Sequence, residues 1–183
     1  MPTFLTHAAV PLALGLGLGR RRIPAPLLLA GLAAAVLPDG DVLIMRLGVP
    51  YASAFGHRGF SHSILFAGLV ALLGAALLRR ISFPRAWGFL FLAAVSHPLL
   101  DASTTGGLGV ALLWPFSEAR YFAPWRFIRV SPLRLSSFWS ERGLRVGASE
   151  LRWVWLPCFL LALTGWCCRR TTAPAETSAT PRQ

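Results

Sequence analysis

Residues 56–80 read GHRGFSHSILFAGLVALLGAALLRR, which is a polar cluster followed by an unbroken apolar run and a pair of arginines. The apolar run, Ile64–Leu78, has no polar face. A helix on the surface of a soluble protein is amphipathic, with charged residues opposite its apolar stripe. The run therefore predicts a helix of a membrane protein, with polar groups gathered at one end and arginines at the other.

The composition of the whole chain supports this prediction. The 183 residues are 55% hydrophobic and only 14% charged, with a mean hydropathy of +0.57, whereas a soluble domain carries about 25% charged residues. The net charge of +11 comes from arginine, since the chain has no lysine, and most arginines flank apolar runs. This pattern is typical of anchoring at a bilayer surface, so we expect membrane lipids as partners and no nucleic acid.

Five apolar stretches of about 15 residues predict the helices. They are Phe4–Gly19, Ile23–Leu37, Ile64–Leu78, Ala86–Leu100 and Trp153–Cys168. Each helix would be about 24 Å long, whereas crossing a bilayer takes about 20 residues, so each must extend into its flanks or rely on snorkelling arginines. A compact soluble helical protein is the alternative.

The predicted fold is thus an all-α integral membrane bundle of about five apolar helices with a long interfacial loop over residues 102–152. Aromatic and arginine side chains alternate along that loop, which indicates an element lying in the membrane interface. Residues 1–170 form the membrane-embedded domain. Residues 171–183, rich in Thr, Ala and Pro, are predicted to be a disordered tail.

The junctions between the apolar stretches alternate in kind. Three carry arginines, at 20–22, 79–80 and 169–170. The others carry His and Asp residues: His7, Asp39, Asp41, His57, His62, His97 and Asp101. If each stretch crosses the bilayer once, the arginines lie on one face and all of the His and Asp residues lie on the other. Clustered arginines favour the cytoplasmic side.

Imidazoles and carboxylates that converge from separate helices are the ligands of zinc, manganese, iron or nickel rather than of calcium or magnesium. Within the clusters, Gly40 allows a tight turn that turns Asp39 and Asp41 toward one centre. His97 and Asp101 are four residues apart and share a helix face, unless Pro98 breaks the helix there. Taken singly, each cluster has a structural explanation as a solvated turn, a hydrogen-bonded pair or an interfacial polar group. Taken together on one face, the seven residues predict a divalent metal site, with zinc or manganese as the ion.

The same residues carry a family resemblance. His7, Leu37–Asp41, the His57–Ser63 element HRGFSHS and Ser96–Asp101 resemble the YdjM-type family of LexA-regulated, inner-membrane-associated metal-dependent hydrolases. The likeness covers about residues 3–130 and includes LLWPFS at 112–117. It implies a bacterial inner-membrane location and a hydrolase reaction.

The resemblance also implies roles for individual residues. His62, His97 and Asp101 would bind the ion, and Asp39 or Asp41 would complete one or two sites. Asp41 would orient the attacking water or accept its proton, and Arg58 would hold an anionic oxygen of the substrate. The basic surroundings and the interfacial location point to a phosphoester, such as a lipid head group.

Two other classes of function use the same residues. An ion-handling or transport protein would bind the ion in transit, but transport needs polar groups along a path through the bilayer, and the middles of the predicted helices carry almost none. A regulatory or structural membrane protein would have a polar face without a working site. The sequence leaves the role of Glu150 open between a further ligand and an ion-pair partner of Arg145 or Arg152.

Overall fold

The computed structural model describes residues 2–131 and 140–171. Within these residues the protein is built from helices, and extended pairing is limited to two isolated bridges, Thr104 with Ile128 and Val110 with Tyr121. The seven α-helices are α1 Ala9–Leu18, α2 Ala25–Val36, α3 Asp41–Arg46, α4 Ile64–Leu77, α5 Phe83–Ala102, α6 Glu141–Glu150 and α7 Leu156–Thr171. Short 3₁₀ helices span Phe4–Ala8, Leu37–Gly40 and Phe60–His62, and a π-helical turn, Leu151–Trp155, joins α6 to α7. The all-helical prediction is confirmed.

Helices α2, α4 and α5 form the main core. In α4, Ala67, Ala71 and Ala75 are buried at a spacing of four residues, which places them on one face of the helix. They pack in one cluster with Leu27 of α2 and Leu90 of α5. Small side chains on α4 allow the helix axes to approach closely, as is usual for helices packed in a membrane.

Helix α1 packs along α7 through glycines. A Cβ atom on Gly17 would lie 3.4 Å from Cα of Ala162, and one on Gly165 would lie 2.8 Å from the carbonyl oxygen of Gly17. At the end of α1, the side chain of Arg169 donates to the carbonyl groups of Gly17 (2.8 Å) and Leu16 (2.9 Å). Gly17 and Gly165 therefore allow α1 and α7 to pack closely.

Helix α5 resolves the uncertainty at Pro98. The helix continues through Pro98 to Ala102, so His97 and Asp101 lie one turn apart on the same buried face. Helix α4 starts where its sequence predicts, because the Ser63 hydroxyl accepts a hydrogen bond from the N–H of Phe66 (3.0 Å) and caps the helix.

The prediction of five membrane crossings is not confirmed. Among the described residues, two helical segments are long and apolar enough to cross a membrane, Ala25–Arg46 and Glu141–Thr171, while Phe4–Leu18 and Ile64–Leu77 are shorter. Every residue of α7 is at least partly exposed, which suits a helix that faces lipid.

The arginine junctions nevertheless meet at one end of the molecule. Arg169 contacts the end of α1 beside residues 20–22, and a cleft of about 470 Å³ is lined by Pro24, Pro26 and residues 77–81, including Arg79 and Arg80.

Part of the connection after α5 is helical. Residues 103–131 fold back over the polar end of the bundle, where the N–H of Ala111 donates to the carbonyl of Arg58 and the N–H of Ile64 to the carbonyl of Leu112. Helix α6 then occupies residues that the sequence assigned to a loop. Residues 132–139 and the predicted tail from 172 onward lie outside the described residues.

Candidate metal centre

Four helical elements bring most of the His and Asp residues together. His7 comes from the first 3₁₀ helix, Asp39 from the second, His62 from the third, and His97 and Asp101 from α5. Their nitrogen and oxygen atoms form three overlapping groups, each with all ligand atoms within 4.8 Å: His7, Asp39 and His97; Asp39, His57 and His62; and His62, His97 and Asp101. All four histidines and Asp101 are at most 2% exposed, so the cluster is held inside the protein.

The centre of the cluster is the contact between His62 and His97. Their Nε2 atoms lie 3.0 Å apart. Nδ1 of His97 lies 2.7 Å from the carbonyl oxygen of Ala35 and must donate to it, so Nε2 of a neutral His97 carries a lone pair. That lone pair faces His62 and can accept a proton or bind an ion.

A carboxylate fixes the orientation of His62 from its other side. Nδ1 of His62 lies 3.0 Å from the Ser61 hydroxyl and 3.2 Å from Oδ2 of Asp41, and that hydroxyl donates to the same Asp41 oxygen at 2.7 Å. Burial lowers the pKa of His62, but the hydrogen bonds and charges of Asp101 and Asp41 outweigh burial and raise it to about 9. In the absence of an ion, the proton on Nε2 of His62 is shared between two acceptors, Nε2 of His97 at 3.0 Å and Oδ2 of Asp101 at 3.4 Å.

Within the described residues, His7 and Asp39 carry buried polar atoms that form no hydrogen bond. Both ring nitrogens of His7 and both carboxylate oxygens of Asp39 are buried without a hydrogen-bond partner. The ring of His7 stacks on that of His97 at a centroid distance of 3.6 Å, and its Nε2 lies 3.6 Å from Oδ1 of Asp101 and 3.9 Å from Oδ2 of Asp39. Buried polar groups in proteins nearly always have partners, so these atoms need an additional explanation.

Arg58 is a fully buried side chain beside the cluster. Its Nε lies 2.9 Å from Oδ2 of Asp101, and its two terminal nitrogens donate to the Gly106 carbonyl (2.9 Å) and the Thr104 hydroxyl (3.1 Å). The guanidinium thus binds Asp101 and residues 104–106 at once. Arg58 itself has a positive φ of 64°, an uncommon conformation for a residue other than glycine.

The two carboxylates of Asp39-Gly40-Asp41 point to different neighbours. Asp39 faces His7 and His97, whereas Asp41 accepts from Nδ1 of His57 (2.6 Å), from the N–H of Arg58 (3.1 Å) and from Ser61. Gly40 has an ordinary helical φ of −58°, so the expected tight glycine turn does not form, and the chain instead continues from a 3₁₀ helix into α3. Asp41 is absent from the three groups.

Tight backbone packing shapes the segment that carries His57. A Cβ atom on Gly59 would overlap the carbonyl of Ala54, so the loop needs glycine there. Arg120 holds the same loop from outside, since its guanidinium donates to the carbonyls of His57 (3.0 Å), Ser53 (3.0 Å) and Tyr51 (3.3 Å). Its donors are directed to the backbone.

Glu150 lies outside the three groups and pairs with neither Arg145 nor Arg152 within the described contacts. Its carboxylate binds Thr3 and Thr6, at distances of 2.6–2.7 Å, next to His7 in the sequence. The sequence did not reveal this role, because nothing in the pattern pairs residue 150 with the N-terminal segment.

The buried His and Asp groups could hold a metal ion. A neutral imidazole offers one lone pair and a carboxylate offers two oxygens, and their convergence among buried residues suits a transition-metal site. The arrangement at His62, in which a carboxylate and a hydroxyl bind the nitrogen facing away from the centre, is the usual second layer of such sites.

Comparison with known proteins identifies the family. The model of the YdjM inner membrane protein family matches residues 1–173. The chain belongs to this family. Inner membrane protein YbcI of Escherichia coli K12 is 52% identical over 173 residues, which cover 93% of this chain and 100% of that protein.

More distant YdjM-family relatives match in part. Inner membrane protein YdjM of Escherichia coli K12 and that of Shigella flexneri are each 39% identical over 112 residues, which cover 54% of this chain and 50% of those proteins. No solved structure matches significantly. The YdjM family and these relatives are inner membrane proteins by name, and this chain is accordingly a protein of the bacterial inner membrane.

Proposed function

We propose that this chain is a membrane-bound hydrolase that depends on a divalent metal ion and acts on a phosphoester of a lipid-like substrate. The observation that carries the proposal is the set of orphaned atoms on His7 and Asp39. An unsatisfied buried polar group costs about 1–3 kcal/mol, and more if it is charged. A bound divalent ion would satisfy these atoms together.

Zinc and manganese fit the donor set best. The three groups combine imidazole with carboxylate, whereas calcium and magnesium prefer sites made of oxygen alone. We assign His7, Asp39, His62, His97 and Asp101 as the residues that hold the ion, with His57 as a further candidate beside Asp39.

The remaining polar residues have supporting roles. Asp41 accepts hydrogen bonds from His57, from the N–H of Arg58 and from Ser61, so it acts through His57 and His62 by fixing which ring nitrogen carries the proton. His57 has Nδ1 bound to Asp41, which leaves Nε2 as the nitrogen that can accept a proton from water. A divalent ion would supply Lewis acidity and a water that ionises near neutral pH.

The sequence suggested that Arg58 binds an anionic oxygen of the substrate. We propose instead that Arg58 holds Asp101 in place. Its guanidinium is buried and already bonds with Asp101, Thr104 and the Gly106 carbonyl. A substrate oxygen would have to displace one of these partners.

The surface above the site supports a substrate at the membrane interface. Residues 103–131 cover the polar end and expose Phe116 (91%) and Trp125 (69%), while Arg126 lies 4.8 Å over the ring of Phe122. Exposed aromatic rings beside arginines are typical of the head-group layer. A lipid phosphoester would therefore reach the site without leaving the membrane surface.

The test combines metal content with turnover. The full chain, purified in detergent, is assayed with zinc or manganese against phosphomonoester and phosphodiester lipids, beside His97→Ala and the control Glu141→Gln, which changes an exposed residue of α6. Turnover by wild type and control, lost in His97→Ala, supports the proposal. Bound metal without turnover, together with metal flux across protein-containing vesicles, would instead favour the ion-handling alternative.

A further inference from the structure

The buried carboxylate of Glu150, in the C-terminal half of the chain, binds the N-terminal segment through Thr3 and Thr6. Oε1 of Glu150 accepts from the backbone N–H of Thr3 (2.6 Å), and Oε2 accepts from the hydroxyls of Thr3 and Thr6 (2.7 Å each). Glu150 is 4% exposed. Hydrogen bonds to a carboxylate are stronger than those between neutral groups, so three of them hold this segment firmly.

The contact reaches the residue beside the metal cluster. Thr6 directly precedes His7, and its hydroxyl also accepts from Nε1 of Trp155 (3.1 Å). Among the described residues, none forms a hydrogen bond with the ring of His7. The ring stacks on His97 and approaches Asp39 and Asp101. The backbone of the Phe4–Ala8 helix must therefore set where the ring lies.

The C-terminal end of α1, which follows the Phe4–Ala8 helix, is held by a different contact. Arg169 binds the carbonyls at the end of α1, and Gly17 packs on α7. The segment is thus held at two points by the same C-terminal helices, one beside His7 and one at the arginine end. These two points can be tested independently.

We propose that Glu150 is a positioning residue for His7, so that the C-terminal helices complete a metal site whose other residues lie within the first 101 positions. The proposal rests on the proposed metal function. It places Glu150 outside the ion's own ligands, since its oxygens are occupied by Thr3 and Thr6.

The first test does not need metal. The chain has four histidines, so ¹⁵N-histidine labelling gives four pairs of ring resonances, and His7→Gln assigns those of His7. In Glu150→Ala we expect the His7 resonances to shift or broaden, with a smaller change at the stacked His97 and none at His57. Glu150→Gln, which retains one carbonyl acceptor, should give a smaller shift, while Glu141→Ala and Arg169→Ala should leave His7 unchanged.

The second test is a double-mutant cycle on metal affinity. Glu150→Ala is expected to weaken zinc binding about 10–100-fold, the usual effect of removing a group that orients a ligand. In a His7→Gln background the same substitution should have almost no further effect.

Two results would overturn the proposal. One is unchanged His7 resonances in Glu150→Ala, and the other is a double mutant whose loss of zinc affinity equals the sum of the losses in Glu150→Ala and His7→Gln. Should Glu150→Ala fail to fold, the milder Glu150→Gln supplies both readouts. If wild-type protein binds no metal, the proposed function fails, whereas the resonances of His7 still decide the role of Glu150.

Discussion

Nε2 of His62 and Nε2 of His97 face each other at 3.0 Å in the interior of the protein. Each ring has its other nitrogen occupied, His97 by the Ala35 carbonyl and His62 by Ser61 and Asp41. Two lone pairs cannot approach so closely unless a proton or an ion lies between them. A proton and a metal ion therefore compete for the two Nε2 atoms of His62 and His97.

This competition predicts that metal affinity depends on pH. The pKa of His62 is raised to about 9, so below pH 9 the metal-free protein holds a proton that an incoming ion must displace. Apparent affinity should rise with pH, by up to about tenfold per unit from this one group, and level off above about pH 9. Calorimetric titrations in buffers of different ionisation heat measure the released proton directly. Affinity that is the same at pH 6 and pH 8, without proton release, would contradict this prediction.

Replacement of Asp39 by Asn and replacement of Asp41 by Asn should change metal binding in different ways. Asp41→Asn keeps the ion's ligands but disturbs the contacts that orient His57 and His62, so we expect affinity to fall about 10–100-fold with unchanged stoichiometry. Asp39→Asn removes a proposed ligand and should lower the number of ions bound or the affinity further. Equilibrium dialysis with metal analysis measures both variants. The assignment of Asp41 as a supporting residue fails if Asp41→Asn abolishes binding while Asp39→Asn leaves it intact.

Replacement of Arg58 should destabilise the protein. Arg58→Met leaves the buried Asp101 carboxylate without its guanidinium partner, and breaking one side of a buried pair costs about 3–5 kcal/mol. Arg126→Met, at an exposed arginine, is the matched control and should be nearly neutral. Denaturant unfolding in detergent compares the two. If Arg58→Met is as stable as wild type and loses only substrate affinity, the substrate-binding role predicted from the sequence is right.

The sequence was informative wherever neighbouring residues determine the structure. The apolar run after Ser63 predicted α4 to within one residue, since a hydroxyl cap at its start and arginines after its end are local signals. The spacing of His97 and Asp101 placed both on one face, although only the structure shows that the helix continues through Pro98.

The sequence was uninformative about contacts between distant segments. The bond from Nδ1 of His97 to the carbonyl of Ala35 uses a backbone atom that no motif marks. The burial of Arg58 depends on Thr104 and Gly106, which fold back over it, and Glu150 meets Thr3 across 147 positions. Such pairings follow from packing, which the sequence alone does not display.

The packing of α1 on α7 makes a further prediction about two glycines. A Cβ atom on Gly165 would lie 2.8 Å from the backbone oxygen of Gly17, whereas one on Gly68 in α4 would have no atom within 4 Å. Gly165→Leu should therefore destabilise the protein by about 1–3 kcal/mol through overpacking. Gly68→Ala should be neutral or stabilising by up to about 1 kcal/mol. Thermal unfolding of both variants in one detergent checks the difference, and equal stabilities would show that α1 and α7 do not meet as described.

The metal content of wild-type protein and of His97→Ala tests the central claim most directly. Both are purified from membranes in detergent without chelator, and elemental analysis counts zinc, manganese, iron and nickel per chain. We predict at least one divalent ion in wild type, removed by chelator and restored on its return, and its loss in His97→Ala, while Glu141→Gln retains it. A folded wild-type protein that neither carries nor rebinds a divalent ion would contradict the account.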